Sequence, residues 1–328
     1  MIAARRLGLY AVLTGITVMV AACGAASTPG SSASSAPKKV GFSVYDMQYG
    51  YFQDMEKGTH SAATAAGYGY TLIDEKSSES TMVSATQDLM NQGINALIIS
   101  PFKPDALGPI VDAAHKKHIP VVIDDIGGGG TAYDAIVISD NEKGGVQAAD
   151  EMDKMIKAKP GASKNVASIT CEPSAVYAAR RNAGFEKQMK SLGYSVVASL
   201  SGHSKQEEGY TVMKDILSAH PDVSGVFSCN DPMAVGAAQA LSDSKKSGSK
   251  DVFVVGFNGD DIALTAIKNG QMAATIQQQP AKMGALTVEL ATKLMNGEKL
   301  TFGNTANREV YVPVRVINAA NVDSAKQP

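Results

Sequence analysis

Side chains that can contact a small ligand lie at the predicted carboxyl ends of strands in this sequence. The set contains carboxylates, amides, hydroxyls and aromatic rings, and its members are Tyr45, Asp46, Ser100, Asp124, Asp125, Cys171, Asn230, Asp231, Phe257 and Asn258. Carboxylates accept hydrogen bonds, and amides both donate and accept them. None of these positions carries a histidine, and no serine–histidine pair or carboxylate pair of catalytic spacing occurs among them. The pattern therefore predicts ligand binding rather than catalysis.

The elements that place these residues alternate between strand and helix. β-Branched runs predict strands at 40–45, 70–74, 96–100, 120–124, 165–170, 195–200, 225–228 and 252–255, separated by helices at 51–66, 80–91, 104–117, 142–157, 178–191, 206–219, 232–243 and 260–269. The continuous apolar run at 96–100 is typical of a strand covered on both faces. Repeated βα units of this length predict parallel sheets, in which ligands lie outside the carboxyl ends of the strands.

The length of the folded body predicts two lobes. About 290 residues follow the N-terminal region, which is near the upper limit for one hydrophobic core. We therefore predict an α/β protein with two doubly wound parallel-sheet lobes joined by a multi-strand hinge. The N-terminal lobe takes residues 38–139 and 279–307, and the C-terminal lobe takes 140–278 and 308–328. Asp140 and Asn141 lie at a crossover and are interpreted as hinge residues. The cleft between the two sheets is the predicted binding site.

The first 37 residues indicate export and a lipid anchor. Arg5 and Arg6 precede a mostly apolar run at 7–22, and small residues lead to Cys23. A basic region, an apolar core and a small-residue cleavage site are typical of a secretory signal peptide, here 1–22. The stretch 20–23 resembles a bacterial lipobox, which implies a diacylglyceryl group on Cys23. Residues 23–37 contain no large side chain, so we expect a flexible tether to the extracytoplasmic face of the cell membrane.

Composition and scattered motifs exclude several classes of protein. The formal net charge is −2, without basic clusters, which argues against a nucleic-acid partner. The glycine run at 127–130 lacks the Lys-Ser/Thr that follows in a phosphate-binding loop. The five histidines show no metal-ligand spacing, and no cofactor fingerprint occurs. We therefore predict a protein that is not an enzyme and that has no metal and no cofactor.

Several stretches in a fixed order carry a resemblance to a known family. They are 226–237, with Asn230-Asp231 and Met233-Ala234 opening a helix, then 254–259 and 273–278, together with 119–125 and 139–141. From Lys39 to about Arg315 the chain resembles the type I periplasmic sugar-binding proteins of ABC importers, close to the ribose-binding branch. The resemblance implies a monomer that closes over its ligand at a hinge and then docks on a membrane permease served by an ATPase.

The resemblance also implies a set of ligand-binding residues. The aromatic loop that sandwiches the ligand falls on Tyr49, Tyr51 and Phe52, and a further aromatic at the base of the cleft falls on Phe257. The carboxylate that accepts from ligand hydroxyls falls on Asp125, and the arginine of the second lobe falls on Arg181. Two amides of the same shell fall on Asn230 and Gln278, and Asn258 takes a neighbouring position.

Departures from the family pattern modify the expected ligand. Ile126 stands where ribose-type proteins have an arginine, and Asn258 stands where they have a second aspartate. Tyr49 replaces an asparagine, and Ser204 or a neighbour replaces an aromatic of the second lobe. In the family, the missing arginine and aspartate serve the anomeric end of a sugar ring. We therefore expect a four- or five-carbon sugar alcohol, with a monosaccharide as the second choice.

Two alternatives with the same fold remain open at this point. The first is a receptor lipoprotein for a signalling furanone or a nucleoside. The second is a sugar-responsive transcription regulator, which would need a helix-turn-helix where this chain has a signal peptide and tether.

Cys171 and Cys229 end neighbouring strands, where a disulfide is geometrically awkward. The sequence therefore does not decide whether they are bonded.

Overall fold

The computed structural model describes residues 37–127, 130–172 and 175–325. The expected signal peptide, the expected lipidation site Cys23 and all but the last residue of the expected tether lie outside the described residues. From Pro37 onward the chain forms one compact unit. Among the described residues, no helix is both long and apolar enough to span a membrane.

Strands and helices alternate along most of the described chain. The first part contains β1 (Lys39–Val44), α1 (Gly50–Ala65), β2 (Gly69–Asp74), α2 (Glu79–Asn91), β3 (Ala96–Ser100), α3 (Leu107–Lys116), β4 (Val121–Asp124) and β5 (Ala135–Ser139). The second part contains α4 (Asn141–Ala158), β6 (Asn165–Thr170), α5 (Val176–Ser191), β7 (Ser195–Ser201), α6 (Gln206–Ala219), β8 (Gly225–Ser228), α7 (Asp231–Asp243), β9 (Phe253–Asn258), α8 (Asp261–Lys268), β10 (Ala274–Gln277), α9 (Pro280–Met295), β11 (Glu309–Val312) and β12 (Arg315–Asn318). Single turns of 3₁₀ helix cover Pro104–Ala106 and Val322–Ser324.

The strands form two six-stranded sheets with the same winding. The first has the order β11-β5-β4-β3-β1-β2, and the second has the order β12-β10-β9-β8-β6-β7. All pairs in the first sheet are parallel, and in the second only β12 runs antiparallel to its neighbour β10. The predicted fold class of two doubly wound α/β lobes is confirmed. In each sheet the strand order reverses beside the first strand, between β1 and β3 and between β6 and β8, which is where such folds bind ligands.

Apolar side chains cover both faces of each sheet. In the first sheet, Phe42 and Val122 pack with Met55 of α1 and Met283 of α9, and Leu97 and its neighbours pack with α2 and α3 on the opposite face. The second sheet has two corresponding clusters. Each sheet therefore has its own apolar core on both faces, and the carboxyl ends of its strands extend from that core.

The chain crosses between the two sheets three times. The crossings follow Ser139 at the end of β5, Gln277 at the end of β10, and Val312 at the end of β11. The sequence places the third lobe boundary at 307/308, whereas β11 pairs in parallel with β5 and belongs to the first sheet. By sheet membership, this boundary therefore lies at Pro313 and Val314. The sequence does not reveal it because a four-residue strand joins its sheet through long-range pairing alone.

A disulfide joins Cys171 to Cys229 in the second lobe. Each cysteine is the first residue after its strand, β6 or β8, and their Cα atoms are 5.8 Å apart. This separation is within the range that a disulfide requires. The awkward geometry expected for neighbouring parallel strands is avoided because both cysteines lie beyond the last paired residues, Ile169 and Ser228. The bond therefore links the ends of β6 and β8 covalently, at the place where the strand order of the second sheet reverses.

Candidate functional site

The carboxyl ends of the two sheets enclose a cleft of about 1300 Å³. A smaller cavity of about 240 Å³ adjoins it and shares most of its lining. We call it the polar chamber, and its lining residues are Tyr51, Asp125, Cys171, Glu172, Ala175, Ala178, Arg181, Ser204, Asn230, Asn258 and Gln278. Pockets for drug-sized ligands have volumes of roughly 300–1,000 Å³, so the polar chamber suits a smaller molecule.

The structure brings together most of the residues that the sequence predicts to bind ligand. Tyr51, Asp125, Arg181, Asn230, Asn258 and Gln278 line the polar chamber. Tyr49 and Phe52 line the wider cleft. Phe257 lies beneath the site, where it is fully buried. Direct contact of each residue with a ligand stays a prediction.

Arg181 of α5 is held rigidly at the wall of the polar chamber. Its Nε donates to Asn141 Oδ1 at 2.7 Å, and its Nη1 donates to the carbonyl oxygen of Cys229 at 2.9 Å. The guanidinium lies 4.0 Å from the ring centroid of Phe257, a cation–π contact. Burial lowers the pKa of Arg181, but an arginine remains a cation in proteins. Phe257 thus supports the arginine from below.

Two glycines allow α5 to approach α4 closely enough for these contacts. A Cβ atom on Gly145 would lie 2.0 Å from the carbonyl oxygen of Arg181, and one on Gly184 would lie 2.2 Å from that of Glu142. Any larger residue would push the helices apart. The position of Arg181 is therefore fixed by backbone packing between helices as well as by its own hydrogen bonds.

Asp125 faces the same chamber from the first lobe. It follows β4 directly and has a φ of 63°, a left-handed conformation that aspartate tolerates better than most residues. Its N–H donates to the carbonyl oxygen of Val137 at 2.8 Å. Burial raises the pKa of the Asp125 carboxyl, while the charge of Arg181 and a hydrogen bond from Tyr51 oppose the rise. A carboxylate of one lobe and a guanidinium of the other thus face one small cavity.

Gln278 connects the hinge to the chamber. Its Oε1 accepts from Ser139 Oγ at 2.9 Å, and its Nε2 donates to Asn258 Oδ1 at 3.1 Å. Ser139 ends the strand before the first crossing, and Gln278 follows the strand before the second. Asn258 also accepts from Arg181 Nη1 at 3.3 Å. Movement at the crossings would therefore be transmitted to the residues that line the chamber.

Asn230 combines a structural role with its place in the chamber. Its Oδ1 accepts from the N–H of Met233 at 3.0 Å and caps α7. Its Nδ2 donates to the carbonyl oxygen of Ser204 at 3.1 Å. The side chain also fixes the turn at 203–204, where both residues have a positive φ.

Aromatic rings form a wall on the first lobe. Tyr45 stacks on Phe52 with ring centroids 5.1 Å apart, and it contacts Tyr49 and Phe102 edge to face. All four rings line the cleft. Such faces can cover the C–H surface of a carbohydrate while the polar chamber takes its hydroxyls.

The sequence analysis does not identify Phe102 and Glu172. Both line the cleft, and Glu172 also lines the polar chamber. Each lies two residues beyond the end of a strand, β3 or β6. The signal that could have found them is the strand-end rule applied over a wider window, since it already selects Ser100 and Cys171.

Glu75 positions the aromatic wall and gives the protein a pH-dependent stability. Its carboxylate is fully buried and accepts from Ser43 Oγ and from the N–H of Phe102, both at 2.7 Å. Burial raises its pKa from 4.5 to about 7. The folded state therefore binds this proton more tightly than the unfolded chain, so stability is lost as the pH rises from 4.5 to about 7.

We expect Glu75→Gln to reduce this pH dependence, because the amide stays neutral and can still accept from the N–H of Phe102. Thermal unfolding at pH 5 and pH 8 measures the effect, which amounts to about 3 kcal/mol at most. Glu289→Gln, at an exposed glutamate paired with Lys293, is the control. An identical loss of stability in wild type and Glu75→Gln would contradict the assignment.

Comparison with known proteins identifies the family. Residues 40–299 match the family described as periplasmic binding protein domain. The chain belongs to the periplasmic binding protein family. Ribose import binding protein RbsB of Bacillus subtilis (strain 168) is 33% identical over 272 residues, covering 83% of this chain and 86% of that protein. The xylitol-binding protein of Mycolicibacterium smegmatis is 28% identical over 328 residues, covering 98% of this chain and 87% of that protein.

A solved structure agrees with both the fold and the family. The carbohydrate transporter solute binding protein from Agrobacterium radiobacter, in complex with D-arabinose, superposes with a TM-score of 0.71 at 30% identity. The match covers 87% of this chain and 96% of that chain. The resemblance that the sequence motifs predict is confirmed. As a member of the periplasmic binding protein family, the chain is a substrate-binding component of a transporter and not an enzyme.

Proposed function

We propose that this periplasmic binding protein captures a small neutral polyol outside the cytoplasm and delivers it to the permease of an ABC importer. The observation that carries the proposal is the polar chamber, where two carboxylates, a guanidinium and three amides converge on about 240 Å³. A hydroxyl group both donates and accepts, so a polyol needs partners of both kinds. The relatives named for ribose and xylitol support a sugar or polyol as the ligand class.

Within this class we propose a sugar alcohol of four or five carbons, with a monosaccharide second. Ile126 contributes an apolar surface to the cleft beside Asp125. The amide of Asn258 is hydrogen-bonded to Arg181, Gln278 and Asp260. Neither residue brings a charge to bind an anomeric hydroxyl. The alternative of a furanone or nucleoside receptor is not favoured, because the named relatives bind sugars and polyols.

Hinge closure supplies the mechanism. Asp125 belongs to the first lobe and Arg181 to the second, so a ligand bound by both is held fully only when the lobes are closed. A ligand that binds the closed form better shifts the open–closed equilibrium toward it. We propose that the closed monomer then docks on the permease, whose ATPase partner drives release.

Thermal-shift screening followed by calorimetry tests the ligand class. The panel comprises erythritol, ribitol, xylitol and D-arabitol, set against D-ribose, D-arabinose and D-allose. We expect stabilisation by at least one sugar alcohol, with weaker effects from the aldoses. Stabilisation by aldopyranoses alone would overturn the sugar-alcohol assignment, and no response to any member would overturn the function.

We also propose that the protein is a lipoprotein anchored through Cys23, which lies outside the described residues. The proposal rests on the lipobox-like stretch 20–23 and the tether that follows it. In a bacterial host, radiolabelled palmitate should enter the wild-type chain and bring it to the membrane fraction. Cys23→Ser should remain unlabelled, and equal labelling of both would refute the anchor.

A further inference from the structure

Glu172 lies at the edge of the polar chamber in a position that no motif assigns to ligand binding. It follows Cys171, the cysteine that the disulfide ties to Cys229, and it lines both the chamber and the wider cleft. Its side chain is only partly exposed. Burial is the main cause that raises the pKa of Tyr45, and the negative charge of Glu172 contributes to the rise. Glu172 therefore acts electrostatically on a residue of the first lobe. The carboxylate is therefore directed into the cleft.

Three loops of the second lobe hold this carboxylate in place. Ser204 Oγ donates to Glu172 Oε2, and Asn230 Nδ2 donates to the carbonyl oxygen of Ser204. Ser201 Oγ donates to the carbonyl oxygen of Cys171 at 3.0 Å. The loops after β6, β7 and β8 thus form one connected support for Glu172. A group held this way is ready to bind without a further loss of side-chain freedom.

Only one of the two carboxylate oxygens is engaged by this support. Oε2 accepts from Ser204, whereas Oε1 accepts no hydrogen bond from any residue within 37–127, 130–172 and 175–325. A carboxylate has capacity for several donors. The unused oxygen of a positioned carboxylate at a ligand cavity is suited to accept a hydrogen bond from a ligand hydroxyl.

We infer that Glu172 is a specificity-determining residue of the second lobe, which accepts a ligand hydroxyl opposite the one accepted by Asp125. The inference rests on the proposed function and deepens it. With both groups ionised, the polar chamber contains two carboxylates and one guanidinium, a net charge of −1. The site therefore selects neutral ligands that present hydroxyl donors on two sides, and it rejects sugar acids and sugar phosphates.

Glu172→Gln tests the inference by calorimetry with xylitol and D-ribose and with their acid counterparts, xylonate and D-ribonate. Loss of one charge-assisted hydrogen bond should weaken binding of the neutral probe by about 10- to 100-fold. In the variant, the ratio of the affinity for the neutral probe to the affinity for its acid should also fall by about 10-fold or more. Glu186→Gln is the matched control, because Glu186 is a partly exposed glutamate of the same lobe that also accepts from a serine, Ser199.

The outcomes separate this inference from the proposed function. Failure of the wild type to bind any neutral member of the screening panel would overturn the function itself. Wild-type binding that Glu172→Gln leaves within twofold would overturn the inference and leave the function standing. Ser204→Ala adds a second variant, since loosening the support should produce a smaller loss in the same direction. A loss of binding with an unchanged preference between neutral and acid probes would also count against the inference.

Discussion

Replacing Arg181 with alanine should abolish tight ligand binding without unfolding the protein. The change removes the only cation among the described residues that line the polar chamber, and a hydrogen bond to a charged group contributes about 1.5–3 kcal/mol. If Arg181 makes two such bonds to the ligand, affinity should fall by roughly 100- to 10,000-fold. The fold should persist, because Arg181 lines the cleft, and water that enters the vacated space can hydrogen-bond to the oxygens that Arg181 contacted.

Arg181→Lys shows whether the loss comes from charge or from geometry. Lysine keeps the charge but cannot reproduce the planar fork that reaches both Asn141 and Cys229, nor its stacking on Phe257. We expect an affinity between those of the wild type and Arg181→Ala. Arg308→Ala is the control, because Arg308 is also an arginine that donates to main-chain carbonyl oxygens, those of residues 132 and 133. Calorimetry would contradict the assignment if Arg181→Ala bound the best ligand of the screen as the wild type does.

Removing Arg180 should shift the ligand-free protein toward an open form. Arg180 of α5 forms a bidentate ion pair across the lobes with Glu309 of β11, with both N–O distances at 3.0 Å. Glu309 is fully buried and also accepts from the hydroxyl of Tyr311 at 2.6 Å. The guanidinium in turn lies 4.7 Å from the ring centroid of Tyr177. This pair connects the two lobes independently of any ligand.

The cost of breaking the pair should appear as opening rather than as unfolding. Leaving one partner of a buried ion pair alone costs about 3–5 kcal/mol, but separation of the lobes would return Glu309 to water. We expect Arg180→Ala to increase the radius of gyration measured by small-angle X-ray scattering without ligand. Ligand affinity should fall by about 10-fold, because a smaller fraction of the protein is ready to close.

A double variant isolates the pair. Glu309→Gln alone should act in the same direction, and Arg180→Ala combined with Glu309→Gln should cost little more than either change. A lower melting temperature with unchanged scattering and affinity would show that the pair stabilises the fold rather than closure. Additive losses in the double variant would show that the two residues act separately.

The sequence predicts most of the fold because its central elements have strong local patterns. The boundaries of β3, β6, β8 and α6 agree to the residue, since each is an apolar or amphipathic run bounded by turn residues. The predicted helix at 104–117 instead begins as a 3₁₀ turn, Pro104–Ala106, before α3. Strand β5 is not predicted, because it follows a glycine-rich loop and its pairing partners are distant in sequence. The same reason explains the displaced boundary at β11.

The sequence predicts the site residues that the order of the strands places at the cleft. It does not predict those whose positions depend on contacts between helices or loops. Asp125, Asn230 and Asn258 lie at strand ends, and the rule for parallel sheets selects them. Arg181 lies on a helix, and only the family resemblance points to it. Its contacts depend on the close approach of Gly145 to α5, which no local pattern shows. The orientation of the Glu172 side chain depends on contacts among the loops after three strands, so it is evident only in the folded structure.

The disulfide between Cys171 and Cys229 has a consequence for how the protein must be produced. It closes a segment of 58 residues, which in the chain-entropy treatment stabilises the fold by about 4 kcal/mol. Disulfides form in oxidising compartments and are rare in the cytosol. Material made in a reducing cytoplasm would therefore contain two thiols beside the ligand cavity and a less firmly held Glu172. Binding constants from such samples would describe a reduced protein, and export or oxidative refolding is needed to obtain the disulfide-bonded form.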